Sequence, residues 1–533
     1  MPVRKHQTRL TRLEHQRQKL ELLCAETGGG FEPETPAGHQ RSIKPDSVLR
    51  SRPLPAKYAN LPANPFMVMA VFEDLKYRWN WANITSVAGN IVRERSSDAE
   101  AFPWAGLAEM VSGEADSYCA HTASRRNSVI LTDDSDLLLH DLGSHGSLVF
   151  LDSVELTAWD STQPSRCQLK AAMLSPSLAL GRLGISSLIS FAYRLRFQPE
   201  KSLLELLQQS KDVAAVEELP DYDLFADEYR SKESDRRGQS PSQPVTLLDN
   251  RLSELYWQYK SPGRYAPSDQ PHIYLPILLE DCTRRCAWAQ GRDYRCAAYS
   301  ILNFCHPHHE RHSLVIEFVR RGQRVVPERI QLQDEKVVSA QVKSVELVLE
   351  SLESILGPDG NPIDLWTMFA LLVVYDADVQ LTHSDIQRLE QFLDLGYMGE
   401  RLEWADIHLA AQMHAVLYSL RLLKQVVALM NPAYILTMRL NFFLLNLPPL
   451  CVLMKVATRQ RAASHVNNIT TSHLSCMFRC LWEGRHPQCS RASPGTLEDE
   501  LRPTSQVTTQ GKPQNGHTAT SSSSNIFELL REQ

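Results

Sequence analysis

The fold class is decided by two neighbouring segments, Gly113-Glu114-Ala115-Asp116-Ser117-Tyr118-Cys119-Ala120 and Val129-Ile130-Leu131-Thr132-Asp133-Asp134-Ser135-Asp136-Leu137-Leu138-Leu139. In the second segment a short apolar stretch, typical of a strand, runs into Asp134 and Asp136. Residues i and i+2 of an extended chain point to the same side, so we expect these two carboxylates to emerge together. They would do so at the carboxyl end of a parallel strand, where open α/β sheets place their ligands. Glu114 and Asp116 repeat the spacing at the start of the preceding helix.

Four carboxylates that converge at one place repel each other strongly unless cations lie among them. We therefore predict a metal site formed by Glu114, Asp116, Asp134 and Asp136. Oxygen ligands of this kind suit Mg²⁺ or Mn²⁺, and two such ions can activate water for cleavage of a phosphodiester bond. The alternative is that a single Asp-x-Asp after a strand forms a solvated turn or a helix cap, which is common.

The paired motif resembles that of a known superfamily. Glu-Ala-Asp-x-x-Cys-Ala at 114–120, followed by Thr-x-Asp-Ser-Asp-Leu-Leu at 132–138, is similar to the internal motif of flap-endonuclease-like proteins with an XPG/PIN-like domain. Residues 65–75 and 274–281 resemble the asteroid branch of these proteins in fungi. The resemblance implies an α/β, PIN-like domain followed by a mainly helical C-terminal region. It also assigns the first acidic pair to Glu114 and Asp116, and the second to Asp134 and Asp136.

This chain departs from the family pattern in its acidic residues. The family opens with two strands that each carry a metal-binding aspartate, whereas this chain begins at the basic segment that follows them, 4–19. The region 174–184, where true flap endonucleases supply another aspartate, contains no acid. We therefore expect an incomplete parallel sheet, and Met1 is not expected to be the true start of the protein. The resemblance then implies a non-catalytic or weakly active protein that binds nucleic acid or a protein partner, and a Mg²⁺/Mn²⁺-dependent endonuclease is the alternative.

Patterning along the chain divides it into four parts. We predict a partial XPG/PIN-like domain at 1–220, a solvated linker at 221–246, an asteroid-type helical region with a β-hairpin at 247–485, and a disordered tail at 486–533. The linker prediction rests on the charged, Ser-rich run that ends at Pro244. The C-terminal helical region is the expected surface for a protein partner.

Charge and composition restrict the partners. The 533 residues carry a formal net charge of −6, so any affinity for nucleic acid must be local. Residues 1–57 hold eleven Lys or Arg against six Asp or Glu. Within them we predict a basic helix at 4–26 whose candidate nucleic-acid-binding residues are Arg4, Lys5, Arg9 and Arg12. The alternative is an ordinary solvated helix face with an apolar stripe on the core.

The cysteines, the termini and the hydropathy point to an intracellular protein. Eleven cysteines lack the dense, even spacing of a secreted disulfide scaffold, which suggests a reducing compartment. No apolar run is long and uninterrupted enough to span a membrane, and no signal peptide begins the chain. A nuclear location is implied only by the resemblance. Cys282, Cys286 and Cys296 are expected to be helix-packing residues. The Cys/His-rich segment 305–312 matches no zinc-ligand spacing, and 473–489 comes closer to such a spacing but is interrupted by apolar residues and followed by no regular finger.

Overall fold

The computed structural model describes residues 3–31, 59–88, 100–111, 115–157, 168–211, 221–230, 248–260, 270–357, 360–375, 389, 402–429 and 438–453. The chain divides into two compact units. Unit 1 consists of Met1–His15, His39–Tyr274 and His308–Phe318. Unit 2 consists of Gln16–Gly38, Leu275–Pro307 and Val319–Gln533. The described part of the chain is mixed α/β, as the resemblance predicts.

The α-helices in chain order are α1 Val3–Thr27, α2 Met67–Tyr77, α3 Trp81–Ala88, α4 Ala115–Arg126, α5 Pro176–Leu183, α6 Leu188–Phe197, α7 Leu203–Gln209, α8 Tyr222–Ala226, α9 Asn250–Lys260, α10 Arg292–Phe304, α11 Glu335–Leu356, α12 Pro362–Val374, α13 Trp404–Leu429, α14 Met438–Leu445 and α15 Leu450–Leu453. The strands are β1 Gly30–Phe31, β2 Val129–Thr132, β3 Ser147–Phe150, β4 Glu155–Thr157, β5 Gln168–Lys170, β6 Met173–Leu174, β7 His272–Tyr274, β8 Leu314–Arg321, β9 Arg324–Gln331 and β10 Leu402–Glu403. Short 3₁₀ helices occur at Ser135–Leu139, Leu151–Ser153, Ala287–Ala289 and His308–Glu310.

In unit 1 a three-stranded sheet has the order β2-β3-β6. β2 and β3 are parallel, with Ile130 opposite Leu148, and β6 is antiparallel to β3. The predicted parallel strand before the acidic turn is therefore confirmed. One face of this sheet packs on α4: Ala120, Ala123, Leu137, Leu142 and Leu148 form a buried cluster, and Ile130 packs against it. The apolar residues of the second quoted segment thus hold the acidic turn against a core.

A second apolar cluster of unit 1 joins α6 and α8. Tyr193 on α6 packs against Tyr222, Phe225 and Tyr229, and the Tyr222 hydroxyl lies 2.9 Å from the Ser190 hydroxyl. We predicted a solvated linker from residue 221, but 222–226 form a short helix whose aromatic side chains are buried. The aromatic residues outweigh the surrounding acids because large side chains gain most from burial. Residues 231–246 of the predicted linker lie outside the described part of the chain.

Unit 2 is built around α10, α11, α12 and α13. The guanidinium of Arg295 on α10 is almost fully buried and donates to the Trp288 carbonyl at 2.9 Å and to the Ser419 hydroxyl on α13 at 3.1 Å. Gly291, just before α10, has a φ of 71°, and a Cβ there would lie 2.8 Å from the Ser419 Oγ and 3.0 Å from the Val416 Cα. Only glycine fits this close approach of the α10 N-terminus to α13.

Most predicted elements occur close to their predicted places. The basic helix predicted at 4–26 is α1, which ends where Gly28 adopts a φ of 52°, and the predicted hairpin is β8 and β9. The disordered tail predicted at 486–533 lies outside the described part of the chain. Among the helices that are described, none has the length and apolarity that a bilayer crossing requires.

Candidate functional site

The acidic turn after β2 is closed by its own side chains. The Thr132 hydroxyl accepts the N–H of Asp134 at 2.9 Å, and Oδ1 of Asp134 accepts the N–H of Asp136 at 3.0 Å. Asp134 is thereby the N-cap of the 3₁₀ helix Ser135–Leu139. The prediction that 134–136 continue the extended strand is wrong, because Asp136 lies in the first turn of that helix. The capping alternative is confirmed for Asp134.

The turn forms because the next residue is apolar and needs a core. Leu137 is 2% exposed and packs in the cluster beneath β2 and β3, whereas Asp134 and Asp136 are exposed. A 3₁₀ turn brings Leu137 inward one residue after the aspartates, and a capped turn satisfies the backbone N–H groups that leave the strand. The sheet edge therefore keeps two carboxylates in solvent directly above a packed leucine.

Asp116 lies on α4, which packs against the segment that carries the acidic turn. A short turn at Asn127, whose φ is 51°, joins α4 to β2, so the chain reverses direction between them. Ala120, one helical turn after Asp116, shares the buried cluster with Leu137. α4 and the acidic turn are therefore built on one core, although the three described aspartates, Asp116, Asp134 and Asp136, are not arranged together to hold a metal ion.

The described carboxylates at this end differ in exposure, since Asp134 and Asp136 are exposed and Asp116 is half-buried. Partial burial, and after it the negative charge of Asp116, raise the pKa of the Cys119 thiol above its ordinary value. Glu114, the remaining predicted ligand, lies outside the residues that the structure describes.

The predicted ligands at this end are all carboxylates, a donor type that fits a hard cation better than zinc. One of these oxygens, Oδ1 of Asp134, is already occupied by a backbone N–H. Among the described side chains, which exclude Glu114, no group of three or more His, Cys, Asp or Glu is arranged to hold a metal ion. Mg²⁺ or Mn²⁺ at Glu114, Asp116, Asp134 and Asp136 stays a prediction.

Arg9 and Arg12, the predicted nucleic-acid-binding residues of α1 whose side chains are described, differ in their surroundings. Arg9 forms an ion pair with Glu254 of α9, and its guanidinium lies 5.5 Å from the centre of the Tyr274 ring. Arg12 is exposed, while Arg4 and Lys5 belong to α1 but their side chains are outside the described set. Arg9 is therefore already engaged by a carboxylate of unit 1, and Arg12 is the predicted residue that faces solvent.

Unit 2 contains a buried charge cluster that the sequence reasoning missed. Glu280 is fully buried, and its Oε1 accepts the Nε–H of Arg320 at 2.9 Å and the thiol of Cys286 at 3.3 Å. Its Oε2 accepts the N–H of Ala287 at 2.5 Å. Arg320 donates further to the carbonyls of Cys282 and Arg284, both at 3.1 Å. The only local signal was an acid at the end of the apolar run 275–279.

His408 completes the surroundings of Glu280. Its Nδ1 lies 3.9 Å from Oε2 of Glu280, has no hydrogen-bond partner, and belongs to a side chain that is 4% exposed. Burial lowers the pKa of His408 below its ordinary value, although the Glu280 carboxylate acts in the opposite direction. The expectation that Cys282 and Cys286 pack between helices is also wrong: both flank this cluster in the loop before α10, and Cys296 alone lies in a helix, α10.

Comparison with known proteins agrees with the acidic motif. A sequence family described as XPG domain containing matches residues 63–332, just over half of the chain. Asteroid homolog 1 of Schizosaccharomyces pombe (strain 972) is 24% identical over 224 residues, which is 40% of this chain and 40% of that protein. The chain thus spans about two fifths of the length of that curated relative. No solved structure matches. With the described acidic residues inside the matched region and the match covering just over half of the chain, the chain belongs to the XPG-domain-containing family, and it is similar in part to an asteroid protein.

Proposed function

We propose that this asteroid-like protein has an incomplete nuclease-type domain and acts as a non-catalytic or weakly active protein that binds nucleic acid. The observation that carries the proposal is the use of Asp134 as a cap: its Oδ1 holds the N–H of Asp136 instead of pointing to a ligand. A carboxylate that closes its own turn has fewer lone pairs for a cation.

The count of ligands supports the same view. Two ions about 4 Å apart need more anionic ligands than four residues usually supply. Stabilisation of charge in the transition state is commonly the largest catalytic term, so a site that lacks some of its carboxylates loses orders of magnitude in rate. Glu114, Asp116, Asp134 and Asp136 are the acids that the family motif assigns, and one oxygen of Asp134 is engaged.

The finer description of the fold belongs to this proposal too. β2 is the edge strand of β2-β3-β6 within the described part of the chain, and its Val129 and Leu131 are 52% and 57% exposed. Apolar side chains of this kind normally face a covering layer in a parallel sheet. This exposure supports an incomplete parallel sheet. The helices after β9 are proposed as the asteroid-type region that offers a surface to a protein partner.

Arg12 supports the nucleic-acid part of the proposal. It is exposed on the N-terminal part of α1, where Arg4 and Lys5 precede it in the sequence. Cations along one helix bind phosphates and release condensed counterions, which makes the affinity depend on salt. Arg9 contributes less because Glu254 already neutralises it. An intracellular location, with the nucleus as one possibility carried by the resemblance, completes the proposal.

The alternative is a structure-specific endonuclease that depends on Mg²⁺ or Mn²⁺. It is favoured by one observation, namely that α4, which carries Asp116, shares a buried cluster with the segment that carries Asp134 and Asp136. In this reading the three aspartates and Glu114 would hold the ions, which supply an activated water and stabilise the leaving oxygen. Exposed carboxylates at a strand end can accept such ions without disturbing the core.

Cleavage assays distinguish the two functions. Purified full chain is incubated with labelled flap, fork and single-stranded substrates in the presence of Mn²⁺, and we expect no cleavage above that of a buffer control. The matched variant is the double change Asp134→Asn and Asp136→Asn, because an Asn side chain can still cap the turn. Cleavage by the natural chain that this variant loses would establish the endonuclease and overturn the proposal.

Binding is measured on the same substrates by fluorescence anisotropy. We expect salt-sensitive binding that Arg12→Glu weakens by about tenfold or more, with a smaller effect of Gln18→Glu, an exposed position on the same helix. Equal effects of the two variants would show that Arg12 is not part of the binding surface. Absence of any binding at low salt would remove the nucleic-acid part of the proposal.

A further inference from the structure

Two thiols of unit 2 lie side by side although they are far apart in the sequence. Cys24 is on the last turn of α1, and its thiol donates to the Glu280 carbonyl at 3.8 Å. The side chain of Cys24 is also in hydrogen-bond contact with that of Cys282. Both residues are only partly buried. Two thiols in contact meet the requirement of proximity for a disulfide.

The backbone on both sides of this contact is held in place. The Cys282 carbonyl accepts a hydrogen bond from Arg320 at 3.1 Å, and Arg320 is itself anchored on the buried Glu280. The side chain of Thr27, one turn after Cys24, accepts the indole N–H of Trp404 at 3.1 Å. Cys24 and Cys282 therefore stay adjacent without any rearrangement of the fold.

A small molecule can reach the surroundings of the pair. A cavity of about 250 Å³ opens to solvent beside Cys24 and is lined also by Asp281 and Thr283, the two chain neighbours of Cys282. A water molecule occupies about 30 Å³ of liquid, so a hydroperoxide fits this space easily. Cys286, by contrast, is buried, and its thiol donates a hydrogen bond to Glu280.

We propose that Cys24 and Cys282 are a modification site, a thiol pair that hydrogen peroxide converts into an intramolecular disulfide. The thiolate of Cys282 attacks one peroxide oxygen, the O–O bond breaks, and a sulfenic acid forms while the other oxygen leaves as water. The sulfur of Cys24 then attacks the sulfenic sulfur and releases a second water. Two sulfurs are oxidised, one peroxide is reduced, and both thiol protons end in water.

Cys24 is assigned the second step because of its surroundings. Burial is the main cause that raises the pKa of its thiol to about 12, so its thiolate is scarce at neutral pH. A thiol with so little thiolate attacks peroxide slowly. Once a sulfenic acid has formed on the adjacent Cys282, the neighbouring sulfur of Cys24 is in position to attack it. In a reducing compartment the product would be transient and reversible by cellular thiols.

The test uses the full chain, reduced and desalted, then treated with hydrogen peroxide and digested without reductant for mass spectrometry. We expect the Cys24–Cys282 cross-linked peptide to exceed every other linked pair by about tenfold. The control variants Cys119→Ser and Cys305→Ser remove exposed thiols and should leave that yield unchanged. Cys24→Ser should abolish it and leave a sulfenic acid that dimedone labels at Cys282.

Three results would overturn the proposal. They are the absence of the cross-linked peptide in the folded chain, a predominance of other or intermolecular pairs, and a peroxide-induced loss of two thiols that persists in Cys24→Ser. Circular dichroism of Cys24→Ser and Cys282→Ser is recorded first, so that a negative result is read only on folded protein. A dimedone adduct on Cys24 in Cys282→Ser, with none on Cys282 in Cys24→Ser, would reverse the order of the two steps.

Discussion

The acidic turn of unit 1 and the Glu280 cluster of unit 2 place carboxylates in opposite environments. Asp134 and Asp136 are exposed, and the stability of their segment comes from leucines beneath them. Glu280 has no exposed surface and depends on Arg320 and on backbone and thiol donors. An exposed carboxylate is available for a ligand and contributes little to folding, whereas a buried one is tied to its partners. An exposed carboxylate of a motif can be recognised in the sequence, whereas the partners of a buried carboxylate are recognised only in the folded structure.

The largest expected effect is on the buried pair. Arg320→Met removes the guanidinium and leaves the Glu280 carboxylate buried without its cation, which typically costs about 3–5 kcal/mol. The pair is inaccessible on both sides, since the exposed fractions of the two side chains are 1% and 0%. The free energy of unfolding is measured by urea denaturation of unit 2 within the full chain. Arg321→Met, at the neighbouring exposed position, is the matched control and should change stability by less than about 0.5 kcal/mol.

An equal effect of the two substitutions would contradict the assigned role of the pair. Glu280→Gln with Arg320→Met sharpens the test, because it removes both charges together. If the cost of the single change comes from an uncompensated charge, the double variant is more stable than Arg320→Met alone. If the double variant is less stable, the packing of Arg320 is the larger contribution.

The next effect is on the core beneath the acidic turn. Leu148 on β3 has no exposed surface and lies in the cluster with Leu137. Leu148→Ala should destabilise unit 1 by about 3 kcal/mol through lost burial and the cavity that remains. Leu131→Ala on β2 is the control, since that side chain is 57% exposed and should cost under about 1 kcal/mol. Similar losses in both variants would mean that the outer face of β2 is covered in solution.

Some features of these two regions can be predicted from the sequence, and others cannot. α1, β2, β3 and the β8–β9 hairpin follow from apolar periodicity, because that pattern reports which face of an element is buried. Apolar periodicity does not predict the 3₁₀ turn at Asp136, because the residue at which the strand ends depends on where Leu137 is buried in the folded protein. The predicted start of the linker at residue 221 is wrong for the same reason, because the burial of Tyr222 depends on the rest of the fold. The pairing of Glu280 with Arg320 is invisible locally because 40 residues separate the two.

A smaller effect concerns pH. Burial lowers the pKa of His408 in the folded state, so below the unfolded pKa of about 6.5 the unfolded chain binds a proton that the folded chain does not. Stability therefore falls as the pH drops through that value, by at most about 1.4 kcal/mol between pH 7.5 and 5.5 for this residue. His408→Leu should reduce the acid-induced loss, whereas His309→Leu, whose side chain is 80% exposed, should not. The difference in unfolding free energy between the two pH values is the measured quantity. An unchanged loss in His408→Leu would show that His408 takes up its proton in the folded protein.

The smallest effect separates a structural from a ligand-binding role of the acidic turn. Asp134→Ala removes the acceptor of the Asp136 N–H and should cost about 1 kcal/mol, whereas Asp134→Asn keeps an oxygen acceptor and should be nearly neutral. Asp136→Asn should be neutral as well, because no described side-chain bond of Asp136 supports the turn. The three variants are compared by thermal unfolding with and without Mn²⁺. A stabilisation by Mn²⁺ that Asp134→Asn and Asp136→Asn both lose would show that the exposed oxygens hold the ion, since only a ligand role is sensitive to replacing a carboxylate by an amide that still caps the turn. If Mn²⁺ changes none of the transitions and only Asp134→Ala is destabilised, the carboxylates at this sheet edge serve the turn alone.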